Sequence, residues 1–431
     1  MSERRPAPAA SSEEDTLPRW GAFSYPNYRL YWVASLVRVF AIQFRIIGTL
    51  WLVAVELDRS PAWVGIVMLS AAVPTIVLVV PFGHLADRLD NRRLLICSSF
   101  VSSALHFALA TAVVTGVVEI WMVLLWSVAS GAMNALMAPT QNAILPQLID
   151  MRAIASAVAL NSSIWNSMRV IGPAAAGVII ALLGTGQAFF VTAAGYALSA
   201  VLTIALRPSP RPVSMRAPEG NPLLEGARYV LGNRLFVAVI GLSFFTSLFG
   251  SSYQILLPFY AKDILDVGEV GFGLLEAAAG LGAILGTIAI IRLGASGHRG
   301  RIMLVGAMTF GLLVTAFALS ELIALSMLLL FAAGFASSVY LNLGMTTLQL
   351  EVPDELRGRV MGIWSMTWNL AWVGGAIAGA VAALIGTVAT VAFGGLSVAA
   401  FAVLLLLLSP DLRSLRGPPA AESAKTATAT R

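Results

Sequence analysis

Long apolar runs closed by short polar joints repeat along the whole chain. They lie at 30–57, 62–83, 94–115, 119–141, 155–183 and 185–206, then at 235–260, 270–292, 302–319, 321–349, 360–383 and 388–408. A helix rises about 1.5 Å per residue, so about 20 residues cross the hydrocarbon layer of a bilayer. The runs are rich in Gly, Ala and Leu and lack the two-residue alternation of barrel strands, which would be about ten residues long. The pattern predicts an all-α membrane protein with twelve transmembrane helices. The first run begins near residue 29 and is longer than the apolar core of a signal peptide, about 7 to 15 residues, so it is read as a retained span.

The polar segments divide the chain. Residues 1–28 form a Pro- and Ser-containing tail expected to be disordered. Residues 29–206 make one six-helix bundle and 235–408 a second, joined by a linker at 207–234 and followed by a tail at 409–431. Within the linker, "LLEGARYVLGN" has helical apolar spacing and is expected to lie along the membrane surface. Sliding the chain by 203 positions lays Gly131 on Gly334, Trp165 on Trp368, Asn166 on Asn369, Val170 on Val373 and Gly172 on Gly375. Two pseudo-symmetric six-helix bundles are a transporter plan, with the substrate at the midplane between them.

Composition agrees, with 58% hydrophobic and 11% charged residues. The formal net charge of +5 could suggest nucleic acid, but the positions of the charges exclude that reading. With the amino terminus taken as cytosolic, 22 of the 27 Lys and Arg fall on the cytosolic side. Only Arg59 and Lys262 fall opposite, and Arg38, Arg45 and Arg169 fall inside spans. The positive-inside rule then places both ends in the cytosol. Cys97 is the sole cysteine and His84, His106 and His298 are scattered, so neither a disulfide nor a metal cluster is expected.

The intramembrane cations are the candidate chemistry. Arg45 lies about 22 Å along the helix from the cytosolic start of its span and about 18 Å from the other end, beyond snorkelling reach. Arginine at a span centre costs roughly 2.5 to 3.5 kcal/mol on insertion scales, so Arg45 must face protein or water. Arg169, near the middle of the fifth span, takes the same argument. Arg38, nearer the cytosol, could snorkel or join the same face. Against them stands one intramembrane acid, Glu276, which either pairs with an arginine or titrates and couples proton entry. Asn134, Asn166, Gln254, Asn342, Asn369 and Gln43 are uncharged polar residues within spans, helix-to-helix glue or cavity lining. Trp364, Trp368 and Trp372 form a stripe on the eleventh helix: Trp364 is expected in the interfacial belt, and the deeper two either pack or wall a planar cargo.

The joint between the second and third spans, "GHLADRLDNRR", carries Gly83, Asp87, Arg88, Arg92 and Arg93. This GxLADR pattern with paired basic residues resembles the signature loop of the major facilitator superfamily. The resemblance runs from "NYRLYW" to the twelfth span. "SPAWVG", "AVALNSSIWNSMRVIGPAAAG" and "LRGRVMGIWSM" are similar to its drug and siderophore exporter branch, which includes macrolide and enterobactin exporters. It implies that Gly83, Asp87, Arg88 and Arg92, with Arg357 and Arg359 entering the eleventh helix, form a cytosolic latch between alternating states. Asp90 and Asn91 stand where the common motif has Gly and a basic residue. "RVIGPAAAG" resembles the fifth-helix antiporter motif, carried here by Gly172, Pro173 and Gly177; as physics, these residues serve either packing or a hinge. Relatives carry a polar or acidic residue near the place of Ile42.

No GxxxxGK cradle is present, which excludes an ATP-driven pump. An intramembrane enzyme would need a convergent set of titratable groups, and the spans hold little beyond three Arg, Glu276 and His106. The resulting expectation is a secondary exporter of small amphiphilic molecules in the bacterial inner membrane, working as a single copy without a cofactor. The resemblance implies export and proton antiport. Drugs or antibiotics are the leading cargo class, a siderophore or other anionic metabolite the alternative, and lipid flipping or enzyme chemistry more distant.

Overall fold

The structure, a computed structural model, describes residues 21–209, 222–293 and 298–415. The side chains of 151, 155, 222–224, 291–293, 354, 355, 368 and 369 lie outside the description, as do most of both tails and the middle of the linker. Among the described residues, twelve helices are long and apolar enough to cross a membrane. In the first half they are α1 (Pro26–Glu56), α2 (Pro61–Arg88), α3 (Asn91–Val114), α4 (Ile120–Gln147), α5 (Ser156–Leu183) and α6 (Thr185–Ile204). In the second they are α7 (Arg234–Ile264), α8 (Gly268–Ile290), α9 (Arg299–Ala318), α10 (Ile323–Glu351), α11 (Leu356–Ile385) and α12 (Thr387–Leu408). A further helix, Pro222–Leu231, occupies the end of the linker.

Local signals set the ends of these helices. Ser60-Pro61 opens α2 with proline in the first turn, where its missing N–H costs nothing. Asp90, outside the usual motif, caps α3: its carboxylate accepts from the backbone N–H groups of Arg92 (2.9 Å) and Arg93 (3.3 Å). The Arg92 guanidinium in turn donates to the Thr203 and Ile204 carbonyls at the end of α6, meeting both the unpaired acceptors and the negative end of that helix.

The two halves repeat one another in detail. α1 ends in a π-helical turn over Leu52–Glu56 and α7 in another over Tyr260–Ile264. Each is followed by an aspartate in the left-handed region, Asp58 (φ 46°) and Asp266 (φ 50°), a conformation that Asp tolerates better than most residues. Gly131 presses its backbone on the Ala71 carbonyl between α4 and α2, and Gly334 does the same to Ala279 between α10 and α8. A methyl group at either position would overlap that carbonyl, so the matched glycines of the sequence repeat are matched close approaches.

The halves meet along two seams, α2 against α11 and α5 against α8. Both seams are tight at the end away from residues 21 and 415. There, a Cβ at Gly65 would lie 2.7 Å from the Ala376 Cα, and one at Gly177 would lie 2.7 Å from the Glu269 carbonyl oxygen. Lys262 of α7 donates to Asp58 at 2.6 Å across the same end. At the other end, where the described chain begins and finishes, Gly83 on α2 and Gly358 and Gly362 on α11 have nothing within 4 Å of a would-be Cβ. The molecule is a V, closed at the loop end by Asp58–Lys262 and open at the terminal end.

Candidate functional site

Adjoining cavities run up the inside of the V. The upper one, about 480 Å³, lies between the halves. Its polar lining comes from both: Gln43, Asn166 and Arg169 from the first half, Ser251, Gln254 and Glu276 from the second. Ile46, Ile47, Leu50, Ile255, Pro173 and the rings of Trp165 and Trp372 make up most of its apolar wall. Such a mixture of apolar wall and few polar groups, at that size, suits a small-molecule site.

Arg169 and Glu276 are brought together because α5 and α8 cross closely through glycine. A Cβ at Gly280 would sit 2.5 Å from the Arg169 carbonyl oxygen, and one at Gly273 would lie 2.7 Å from the Pro173 oxygen. With the backbones so near, Arg169 acts electrostatically on Glu276 across the seam between halves. The one intramembrane acid and one of the three cations thus share a cavity. Gly172 and Pro173 belong to the same packed region: a Cβ at Gly172 would lie 2.5 Å from the Gln43 Cβ, and α5 continues unbroken through Pro173 to Leu183. Gln43 is buried and donates from Nε2 to the Met168 carbonyl (3.1 Å), tying α1 to α5.

The second cavity, about 360 Å³, adjoins the first through Ile46, Trp165 and Trp372. Arg38, Arg45, Thr75, Asn134 and Gln141 line it, with Trp372 its one residue from the second half. Arg45 and Arg169, expected in one positive gap, line two adjoining cavities that share Ile46, Trp165 and Trp372. Arg38 does not snorkel. It is 3% exposed and donates to the Ser35 hydroxyl (2.9 Å) and the Ser199 hydroxyl (3.5 Å). Arg45 lies near enough to Tyr196 and His106 to act on both, and its Nε is buried with no hydrogen-bond partner in the protein. A third, smaller cavity of about 170 Å³ continues from Arg38 past Asn142 and Asn161.

Other expectations fall elsewhere. Asn342 lies outside the linings of these three cavities, donating to the Ser338 carbonyl (2.8 Å) and hydroxyl (3.1 Å), and Ser338 pairs with Thr287 of α8 (2.7 Å). It is glue within the second half. Trp364 is not an interfacial belt residue: it is 4% exposed and packs beside Gly344 of α10. Trp372, by contrast, reaches both larger cavities, while Trp368 and Asn369 fall outside the described side chains. Of the latch residues, Asp87 and Arg88 are exposed at the open end of the V. Arg92 is bound within the first half. Arg359 pairs with Glu225 of the linker helix, and Arg357 donates to the Val352 carbonyl (3.5 Å).

Trp165, Gln141 and Ser251 are cavity residues that the sequence reading missed. Trp165 lines all three cavities, although in the sequence it stands out only as the partner of Trp368 in the repeat. Gln141 closes the apolar run of the sequence, whereas α4 runs on to Gln147. Among the described residues no group of three or more His, Cys, Asp or Glu could hold a metal ion.

Comparison with known proteins accords with this architecture. The enterobactin exporter EntS of Shigella boydii serotype 18 is 25% identical over 407 residues, covering 92% of this chain and 95% of that protein. EntS of Citrobacter koseri is 25% identical over 406 residues with the same coverage. Among solved structures, the nucleoside transporter NupG superposes with a TM-score of 0.72 at 14% identity, covering 89% of this chain and 98% of its own. A bacterial homologue of the human lysosomal transporter Spinster, inward-facing and unoccupied, gives 0.67 at 16%, covering 89% and 95%. Likeness at such identities shows the fold. The model of the transmembrane secretion effector family matches residues 18–425, and the chain therefore belongs to that family, as a non-enzymatic transporter of the major facilitator superfamily.

Proposed function

We propose that the chain exports a small acidic amphiphile of the siderophore kind across the bacterial inner membrane by alternating access, in exchange for protons. The observation that carries this reading is the interface cavity, with Arg169 and Glu276 among apolar and indole walls at the seam of two bundles. A permanent cation there favours a cargo bearing an anionic or acceptor-rich group, and Trp165 and Trp372 suit a flat ring beside it. The exporter relatives at 25% identity support siderophore cargo over drugs, and the apolar share of the lining keeps drug efflux as the second reading.

With the terminal end in the cytosol, by the distribution of Lys and Arg, the open V accepts cargo from inside. Cargo reaches Arg169 while Glu276 is ionised, and the proton crosses in the other half of the cycle: Glu276 takes it from the outer side once cargo has left and gives it up to the cytosol before the next cargo binds. Rocking of the halves then exposes the cavity outward, with Asp87, Arg88, Arg92, Arg357 and Arg359 closing the cytosolic end in place of Asp58 and Lys262. The exchange needs no cofactor and one chain suffices, since both bundles are covalently joined.

The test is accumulation, in cells stripped of their own exporters, of a panel running from catechol siderophores to cationic dyes, with and without a protonophore. Protonophore-sensitive loss of the catecholates from expressing cells is expected. Retention of every acidic member with efflux only of cationic dyes would overturn the cargo class, and increased uptake would overturn the direction.

A further inference from the structure

The charges within the membrane do not balance, and the imbalance is confined to one place. The first-half spans contain Arg38, Arg45 and Arg169 and no acidic side chain away from their ends. Glu276 answers Arg169 across the α5–α8 seam. That leaves Arg38 and Arg45, two turns apart on α1, on a second cavity whose lining, among the described residues, contains no acid. An uncompensated guanidinium in low dielectric is strongly disfavoured, and hydroxyl or amide partners satisfy its donors without cancelling its charge.

We propose that this second cavity is an anion site centred on Arg45. Arg38 supplies long-range charge from behind, its donors being shared with Ser35 and Ser199. Arg45 supplies the contact: its Nε is buried and finds no acceptor in the protein. Asn134 and Gln141 add side-chain amides around the same space. Among the described residues no anion faces Arg45. The neighbouring titratable groups are Tyr196 of α6, which shares a hydrogen bond with Arg45 and so meets a donor without cancelling the charge, and His106 of α3, stacked on Tyr196 with ring centroids 5.2 Å apart; the polar groups that α2, α4 and α5 present are Thr75, the two amides and the Trp165 indole. The species bound is a compact anion, either an inorganic ion such as a halide or the carboxylate or catecholate of a cargo.

A second consequence follows from which helices build the site. Apart from Trp372, every residue lining it belongs to α1, α2, α4 or α5 of the first half. The halves can rock without dismantling it, so the anion travels with the first bundle and is held in both states. In this the site differs from the interface cavity, whose two polar walls come from opposite halves. The inference deepens the cargo reading above and rests on it only for the organic anion; the inorganic one stands without it.

The test uses the full-length chain in lipid nanodiscs, with bromide exchanged for a bulky zwitterionic sulfonate at constant ionic strength and 2,3-dihydroxybenzoate as the organic probe. Thermal midpoint is the readout, since an ion that binds only the folded state raises it with concentration in a saturable way. Bromide is expected to raise the midpoint, dihydroxybenzoate to compete with it, and Arg45→Gln to weaken both by at least tenfold. Arg59→Gln, on the exposed outer loop, controls for general charge. Arg45→Lys, which keeps the charge but loses the fork, is expected to fold and to bind bromide more weakly than the parent. Absence of a saturable rise with bromide on the parent protein, or full bromide affinity in Arg45→Gln, would overturn the anion site. Dihydroxybenzoate binding without competition would confine the site to inorganic anions. Absent bromide binding with catecholate export intact removes this inference alone; bromide binding with no export removes only the transport reading.

Discussion

Gly65 is where the conformational argument can be tested with a single methyl group. The residue lies on α2 at the closed end of the V, and a Cβ there would sit 2.7 Å from the Cα, 3.0 Å from the O and 3.3 Å from the C of Ala376. Carbon atoms rest at about 3.5 to 4.0 Å, so α2 and α11 must separate by about 1 Å at this point. All three atoms are backbone, so no rotamer change can absorb the overlap. Overpacking of this sort costs about 1 to 3 kcal/mol, and it weighs only on the state in which α2 and α11 touch here. In the alternate state, with this end open, the methyl group meets no such wall. Gly65→Ala therefore shifts the equilibrium toward the state open at this end by about 5- to 150-fold. Spin labels at Gly83 and Gly362, with Cys97 replaced by Ser, would report it, since both glycines are unobstructed on the gating helices at the open end. The label separation is expected to shorten in Gly65→Ala relative to the parent. An unchanged distribution in a folded variant would refute the claim that the α2–α11 contact holds this end shut.

Other predictions bear on the charged groups. Glu276→Gln should leave cargo binding in place but make export insensitive to a protonophore; full proton coupling in that variant would exclude Glu276 as the carrier. Asp58 has its carboxyl held below the usual range, first by the hydrogen bond from Lys262 and then by that residue's charge. The contribution of this pair is therefore present above the unfolded carboxyl value of about 4 and lost as pH falls through the depressed folded value. Label separations at the closed end should not change between pH 7 and 5 and should widen in Asp58→Asn at both. Arg92→Met removes a cation from the carbonyl end of α6 and should cost about 1 kcal/mol, visible as a lower thermal midpoint beside an Arg93→Met control.

The amino-acid order alone determined a good deal of this molecule. Twelve spans, their pairing into two halves and the burden of three intramembrane arginines against one acid all follow from local quantities. Hydropathy sums over some 20 residues, and a charge in hydrocarbon is conspicuous wherever its helix points. The glycines of the repeat were legible too, though not their partners, which came into view only when Gly131 met Ala71 and Gly334 met Ala279. What tertiary structure decided was rotation and contact. A helix of 3.6 residues per turn has no face until its neighbours are known, so Trp364 and Trp372, two turns apart on α11, end in a packed core and at the meeting of two cavities. The same geometry assigned Glu276 to Arg169 and left Arg45 and Arg38 without a carboxylate. Pairing between helices far apart in the chain depends on where the bundles touch, and no local pattern of residues encodes that.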